Sequence, residues 1–194
     1  MKNQDGRSMI EMLGVLAIVG VLSVGGIAGY SKAMEKMKIN KQIQQIVTVA
    51  ANIQTLFINQ NQNYNDLNER DSIIHSMHII PEEYWNGQYF NNVYGSQFQL
   101  MGNDGWFMIY LSDVPDNLCV PLLSYDWKSI GVKMIESDTN STIYLLTNQL
   151  TMDDIIKMCQ YNTGDGTMGE IEFFFGDNVP YDEEWSLENV LKNY

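Results

Sequence analysis

The sequence predicts an α+β protein, in which a long N-terminal helix is followed by a globular domain built on an antiparallel sheet. Residues 12–30 form 19 consecutive positions without a charge, and residues 39–57 then place apolar side chains at three- and four-residue spacing. Beyond residue 60, short apolar segments alternate with turn-forming residues, which indicates short strands and helices.

A single helix is predicted from residue 8 to about residue 59, because no proline falls in this stretch. Its first half is apolar on every side and long enough to cross most of a bilayer, so it requires burial in lipid or among copies of itself. Its second half carries an apolar stripe predicted to pack on the domain: Ile39, Ile43, Ile46, Ala50, Ile53 and Phe57. The polar residues between them are Gln42, Gln44, Gln45, Asn52 and Gln54.

Glu11 is an acid placed near the start of the apolar half. On insertion scales a carboxylate in such a segment costs about 2.5–3.5 kcal/mol, so we expect Glu11 to be there for a partner. Small residues allow close helix contact in membranes, and five glycines fall in this half: Gly14, Gly20, Gly25, Gly26 and Gly29. Gly25 and Gly29 form a GxxxG pattern, which is typical of helix pairing.

The first elements of the domain are a short helix and a hairpin. The helix is predicted at Asp71–Ile79, where Pro81 prevents its continuation. Strands are predicted at Ser96–Leu100 and Trp106–Leu111, joined by the GNDG turn at 102–105.

A second helix follows the hairpin and precedes two more strands. Ser112 or Asp113 is predicted to cap this helix, with Pro115 in its first turn. The strands are predicted at Ile130–Ile135 and Thr142–Leu146, joined by the polar SDTN segment.

The last elements are a capped helix and a strand. Thr151 and Asp154 resemble a capping box that opens a helix running through Cys159. Glu170–Phe175 is predicted to be a central strand of the sheet, and an acidic tail follows it.

Charge is unevenly distributed along this acidic chain, whose net charge is −13. Residues 1–57 hold six Lys or Arg against three acids, whereas residues 58–194 hold five against 21. A domain this acidic excludes nucleic-acid binding through phosphate neutralisation and favours a solvated surface that could bind cations or basic partners.

The lysines conflict with a simple membrane orientation. Only Lys2 and Arg7 precede the apolar half, whereas four lysines follow it: Lys32, Lys36, Lys38 and Lys41. Counted literally, the positive-inside rule places the larger part of the chain in the cytoplasm. Against this, the lysines lie on a helix that continues out of the membrane, and two cysteines suit an oxidising compartment.

Cys119 and Cys159 stand alone, with no CxxC pattern and no histidine pair nearby. As a disulfide they would close a loop of about 40 residues and stabilise the fold by about 3–4 kcal/mol in the chain-entropy model. The alternative is two unrelated buried thiols.

No motif in the sequence points to catalysis. It contains no nucleophile with a neighbouring base, no GxSxG, no phosphate-binding loop and no metal triad. His75 and His78 have no third ligand, so surface or packing roles are expected. The GDG at 164–166 lacks the glutamate of a calcium loop and is assigned to a turn. We therefore expect no enzyme, no cofactor and no metal.

The start of the chain resembles the class III signal of type IV pilins. The polar leader MKNQDG ends in Gly6, four residues follow, and Glu11 then opens the apolar helix. The resemblance implies that a prepilin peptidase cleaves after Gly6 and methylates the new terminus at Arg7. It also implies that Glu11 neutralises the terminal amine of a neighbouring subunit. Arg7 departs from the family, which usually has a large apolar residue there, and it offers Glu11 a competing cation.

The order of the domain segments is similar to that of type IVb pilins. The matching pieces are NYNDL, IIPEEYW, NNVYGSQFQL, WFMIYLSDVPDNLCVPLL, MDDIIKMC and IEFFF. In that class a cysteine on the helix after the first hairpin bonds to one before the last strand, which implies a Cys119–Cys159 disulfide and a pilin-like α/β roll. Pilin helices often carry a proline in the apolar half, and the Gly25–Gly26 pair is the candidate for the corresponding flexible point.

The resemblance implies a pilus subunit with five parts: leader 1–6, membrane and filament-core helix 7–30, amphipathic helix 31–59, globular domain 60–176 and acidic tail 177–194. It implies a homo-oligomeric filament, with a prepilin peptidase, an assembly platform and a secretin as partners. The subunit is expected in the inner membrane with its N-terminus cytoplasmic, and after assembly in the extracellular pilus. Two alternatives remain open: a pseudopilin of a type II secretion system, and a membrane-anchored periplasmic binding module that never polymerises.

Overall fold

The computed structural model describes residues 9–137, 142–145, 150–160 and 169–179. The chain divides into two compact units, Met1–Lys38 and Ile39–Tyr194. The regular elements are α1 (Met9–Phe57), α2 (Asp71–Ser76), β1 (Phe98–Asn103), β2 (Trp106–Leu111), α3 (Asp116–Leu123), β3 (Val132–Ser137), β4 (Thr142–Leu145), α4 (Met152–Met158) and β5 (Ile171–Gly176). Short 3-10 turns lie at Asn65–Asn68, Glu82–Tyr84 and Trp127–Ile130.

Helix α1 confirms the predicted long N-terminal helix. It is continuous over 49 residues. Its residues through Lys38 belong to the first unit, and those from Ile39 onward belong to the second. In the first unit most side chains of α1 are exposed, and in the second a stripe of α1 is buried in the domain core.

The second unit is built on one five-stranded sheet with the strand order β1-β2-β5-β3-β4. Every pairing in it is antiparallel. Strand β5 lies between β2 and β3, so the prediction of a central strand at EIEFFF is confirmed. Its apolar run fits this place, because Phe173, Phe174 and Phe175 are all buried.

One face of the sheet shares the main core with α1. Ile109, Phe173 and Phe175 on the strands belong to the same buried cluster as Ile46 and Ile53 of α1. The predicted apolar stripe of α1 is therefore confirmed. The opposite face carries a smaller buried cluster, made of Met108, Met134 and Phe174.

The polar positions of α1 correct part of the sequence interpretation. Gln42 and Gln45 are not on a solvated face, because both are fully buried. The Gln42 side chain donates to Gln45 Oε1 at 2.9 Å and accepts from the backbone N–H of Val93 at 2.9 Å. Gln45 in turn donates to the Asn91 carbonyl at 2.9 Å. These amides attach the helix to the loop before β1 by satisfying groups that burial would otherwise leave without partners.

Helix α3 is not capped as expected. Neither Ser112 nor Asp113 is its N-cap; Pro115 takes that position, with ψ 135° and no side-chain capping bond. Asp113 adopts φ 49°, in the left-handed region, and Val114 is fully buried. The chain therefore turns and buries an apolar residue before the helix begins.

Other boundaries also differ from the prediction. β1 runs over Phe98–Asn103 rather than Ser96–Leu100, so the first two residues of the predicted GNDG turn belong to the strand, and β5 is shifted by one residue to Ile171–Gly176. β3 begins at Val132 rather than Ile130, because Gly131 adopts φ 92° and ends the preceding 3-10 turn. α2 ends at Ser76 rather than Ile79, and His78 is left-handed at φ 54°. α4 ends at Met158, so Cys159 is its C-cap rather than a residue of the helix.

Several predictions fall on residues that the structure does not describe. They are the leader with its cleavage site at Gly6 and Arg7, most of the SDTN loop, the GDG at 164–166 and the acidic tail from residue 180.

Candidate functional site

The most prominent surface is the apolar segment of α1, defined here as residues 12–30. Its large side chains are exposed: Leu16 is 66% accessible, Val24 71% and Ile27 69%. Among the described residues, α1 is the one helix whose length and composition would allow it to cross a membrane, and none of its most apolar window is buried. Exposed apolar surface of this extent marks a site of membrane or protein contact.

Glu11 lies in the first turn of α1, exposed at the start of this apolar segment. The structure thus places Glu11 next to Met12 and Leu13, which are also exposed. A helix N-terminus favours a nearby carboxylate, although this effect is confined to the first turn.

The glycines of α1 are not required by the fold of the subunit itself. A Cβ added at Gly20, Gly25, Gly26 or Gly29 would meet no heavy atom within 4 Å. Gly25 and Gly29, four residues apart, leave a shallow strip on one side of the helix. Such a strip lets a second helix approach closely.

The polar side chain of Ser23 is compatible with apolar surroundings. Its hydroxyl donates to the carbonyl of Val19 at 2.7 Å, one helical turn earlier. This bond satisfies the donor inside the helix, and it removes the cost of taking a free hydroxyl out of water.

The predicted disulfide is present between Cys119 and Cys159, whose Cα atoms are 5.8 Å apart. Cys119 lies on α3 and is fully buried, whereas Cys159 directly follows α4. The bridge therefore joins the two helices that flank β3 and β4 in the chain. The first turn of α4 is closed by the predicted capping box, in which Thr151 and Asp154 each accept from the other's backbone N–H.

Helix α4 also presents apolar side chains that sequence reasoning did not single out. Met152 is 57% accessible and Ile156 is 41% accessible, and their spacing of four residues places them on the same side of the helix. Asp153 and Lys157 pair at 2.7 Å beside them. Because α4 has only seven residues, its amphipathic pattern was too short to separate a surface contact from the core.

The histidines act as packing and surface residues, as expected. The ring of His75 stacks on Trp85 with the centroids 4.6 Å apart, and its Nε2 lies 2.7 Å from Glu82 Oε2. In the part of the chain that the structure describes, no group of three or more metal-ligating side chains comes together.

A pocket of about 340 Å³ lies beside the end of α1. An exposed ion pair between Lys133 and Asp177, 3.3 Å apart, stands at its wall, and Tyr64 and Phe107 contribute to its lining. Burial, followed by the charge of Asp177, raises the pKa of Tyr64 above its usual value. This raised pKa keeps the phenol of Tyr64 protonated near neutral pH.

Another tyrosine with a raised pKa lies on the sheet. The Tyr110 hydroxyl donates to Glu170 Oε1, and burial together with this bond to a carboxylate raises the pKa of Tyr110. Tyr110 lies near the end of β2 and Glu170 directly precedes the neighbouring strand β5, so the bond links these two strands at this end of the sheet. The interaction is structural, since it keeps the phenol protonated.

Comparison with solved structures relates the fold to pilins. The type IVb pilin from Salmonella typhi matches with a TM-score of 0.51 and 17% sequence identity, covering 73% of this chain and 99% of that one. TcpA, a type IV pilin from Vibrio cholerae El Tor biotype, matches with a TM-score of 0.50 and 12% identity, covering the same shares, 73% and 99%. Comparisons of the sequence with family models and with curated proteins find no match. At these identities the similarity establishes the fold, which is pilin-like and α+β, with a long N-terminal helix and one disulfide.

Proposed function

We propose that this chain is the structural subunit of a type IV pilus, cleaved after Gly6 and assembled into a surface filament through α1. The observation that carries the proposal is a membrane-length apolar segment, fully exposed on one copy, on a domain that has the fold of type IVb pilins. Such a segment must be covered by apolar surroundings. For a filament subunit these are lipid tails before assembly and the helices of neighbouring copies afterwards.

The free energy gained by burying the apolar side chains of α1 supports a location first in the membrane and then in the filament. Burying one Leu, Ile or Val side chain contributes about 1.5–3 kcal/mol, and more than ten large apolar residues of α1 are exposed. In the inner membrane lipid tails cover them, with the N-terminus on the cytoplasmic side. In the filament the same surface is covered by the helices of neighbouring copies, for which Gly25 and Gly29 allow close approach.

Glu11 would set the register of each incoming subunit. A carboxylate without a partner in an apolar core is costly, and removing one member of a buried pair costs about 3–5 kcal/mol. The position in which Glu11 meets the terminal amine of a neighbour is therefore favoured over positions shifted along the helix. Partners outside the filament are a prepilin peptidase, an assembly platform and a secretin.

The assignment is tested by replacing Glu11. The Glu11→Ala variant is expected to remain a folded membrane protein with its disulfide formed, while the yield of filaments sheared from cells falls at least ten-fold. Glu35→Ala, which removes the other acid of α1, is the matched control and should leave filament yield within two-fold. Normal filaments from Glu11→Ala would refute the role of Glu11 in assembly.

Two further measurements separate the alternatives. N-terminal sequencing of the mature protein should begin at Arg7; a retained leader combined with a silent Glu11→Ala variant would indicate an anchored binding module instead. Shearing of cells should release the chain into the extracellular fraction, whereas a pseudopilin of a type II secretion system would stay with the cell envelope.

A further inference from the structure

Four lysines follow the apolar segment in an otherwise acidic protein, and the first three of them form a group. Lys32, Lys36 and Lys38, named here the lysine collar, lie on the same uninterrupted helix and are all exposed. Successive residues of a helix are rotated by about 100°, so Lys32 and Lys36 share one side and Lys38 lies on another. The three ammonium groups therefore lie on two sides of the helix instead of forming a single stripe.

The positions of Tyr30 and of the lysine collar along the helix axis correspond to successive layers of a bilayer. Tyr30 ends the uncharged segment and is 68% accessible, and tyrosine is typical of the boundary between hydrocarbon and head groups. At about 1.5 Å per residue, Lys32 lies roughly 3 Å, Lys36 roughly 9 Å and Lys38 roughly 12 Å beyond Tyr30 along the helix. The head-group layer is roughly 5–8 Å deep, and flexible lysine side chains can bend back toward it.

The collar differs from the next lysine along the helix in its partners. Lys41 pairs with Glu83 at 3.5 Å, and its Nζ lies 5.4 Å from the centre of the Tyr84 ring. Within the described residues, no ion pair is found for the lysines of the collar. Residues 31–38 hold these three lysines against one acid, Glu35, so a net positive charge remains in this stretch of the helix for an anionic partner.

We propose that the lysine collar binds the anionic head groups of phospholipids in the leaflet where α1 leaves the membrane on the side of its domain. This inference rests on the proposed function, because it requires the apolar segment to be inserted in a bilayer. An anionic surface attracts each nearby lysine by about 1 kcal/mol, which corresponds to roughly a five-fold preference per residue before salt screening. The collar would hold the unassembled subunit at a fixed depth.

The test measures the lipids retained by the full chain. The protein is solubilised from vesicles of equal parts phosphatidylglycerol and phosphatidylcholine, and native mass spectrometry gives the ratio of the two lipids bound to each copy. The intact chain is expected to retain phosphatidylglycerol in at least three-fold excess. The triple variant Lys32→Gln, Lys36→Gln, Lys38→Gln should lower the excess to near one, and raising the salt to 0.5 M should weaken it in the intact chain.

Two controls separate the collar from general charge. The triple variant Lys32→Arg, Lys36→Arg, Lys38→Arg keeps the cations and should keep the excess of phosphatidylglycerol. The variant Lys128→Gln, Lys133→Gln, Lys157→Gln removes three cations from the domain and should also keep it. An unchanged lipid ratio in the collar variant would overturn the proposal.

A loss of filaments from the collar variant, with an unchanged lipid ratio, would instead assign the lysines to contact between copies. Resistance of the chain to alkaline extraction from membranes is measured in parallel. If the intact chain is extracted, the proposed membrane stage fails and with it the proposed function. If it resists extraction without preferring phosphatidylglycerol, only the role of the collar fails.

Discussion

The side chain of Gln42 accepts a hydrogen bond from the backbone N–H of Val93 at 2.9 Å, across 51 positions of the sequence. This bond ties α1 to the loop before β1 at a fully buried site. Replacing Gln42 by Ala leaves the Val93 N–H and Gln45 without their partner, so we expect a loss of about 1–3 kcal/mol in the free energy of unfolding.

Gln44 is the matched control, because it is exposed on the same helix only two residues away. Gln44→Ala should change the free energy of unfolding by less than about 0.5 kcal/mol. Denaturant titration of the full chain in detergent, followed by the fluorescence of the buried Trp127, measures both variants. Equal effects at the two positions would show that the buried amide does not anchor the helix.

The disulfide should account for a large part of the stability of the domain. It spans 40 residues, for which the chain-entropy model gives about 4 kcal/mol. The double variant Cys119→Ser, Cys159→Ser should therefore unfold at a markedly lower denaturant concentration. Dithiothreitol should reproduce this loss in the intact chain and have no effect on the variant; a stability that is insensitive to reduction would contradict the expectation.

Replacing threonine by alanine should have opposite effects at two positions, Thr151 in the capping box of α4 and Thr55 inside α1. Thr151→Ala removes the side-chain acceptor for the Asp154 N–H and should cost about 1 kcal/mol. Thr55→Ala lies in the interior of α1, where the Thr55 hydroxyl only donates to the carbonyl of Ala51. It should be neutral or slightly stabilising, because alanine has the higher helix propensity. The denaturant midpoints of Thr151→Ala and Thr55→Ala, each compared with that of the intact chain, test both expectations.

Alkaline pH should destabilise the domain through its buried tyrosines. Burial raises the pKa of Tyr94 to about 12, and the pKa values of Tyr84 and Tyr110 are also raised. The folded protein thus keeps phenolic protons that the unfolded chain releases near pH 10, so the free energy of unfolding falls as the pH rises from about 10 to 12.

Tyr94→Phe should reduce this loss at high pH and leave stability near neutral pH almost unchanged, since no protein group among the described residues bonds the Tyr94 hydroxyl. Unfolding midpoints of the intact chain and of Tyr94→Phe, measured between pH 8 and pH 12, test the prediction, which fails if the variant keeps the full slope.

The glycine strip of α1 is expected to matter between subunits and not within one. The double variant Gly25→Leu, Gly29→Leu adds side chains where the subunit leaves open space, so domain stability should not change. Filament yield should fall several-fold, because neighbouring helices could no longer approach closely. Val24→Leu adds one methylene to a residue that is already large and exposed, and it should assemble normally.

Local signals predicted the elements that depend on neighbours in sequence. The capping box at Thr151 and Asp154 and the hairpin around GNDG were recognisable because each is complete within a few residues. The central place of β5 followed from its three consecutive apolar residues, Phe173–Phe175, which put apolar side chains on both faces of the strand.

The errors arose where a distant segment decides the structure. Gln42 and Gln45 were assigned to the polar side of α1, because nothing near them in sequence reveals acceptors and donors at Asn91 and Val93. The start of α3 was misplaced because the burial of Val114 sets the path of the chain before the helix. For the proposed assembly surface, the sequence predicted both the apolar segment and Glu11, and the partner proposed for each is another molecule.

The position of β5 has a consequence for how the domain is made. This strand is the last regular element in the described chain, yet it separates β1-β2 from β3-β4. Until residues 171–176 have left the ribosome and reached the same compartment, the two hairpins have no common neighbour, and long-range pairing of this kind is slow. If α1 enters a membrane as proposed, its apolar segment at residues 12–30 is made well before the sheet can close.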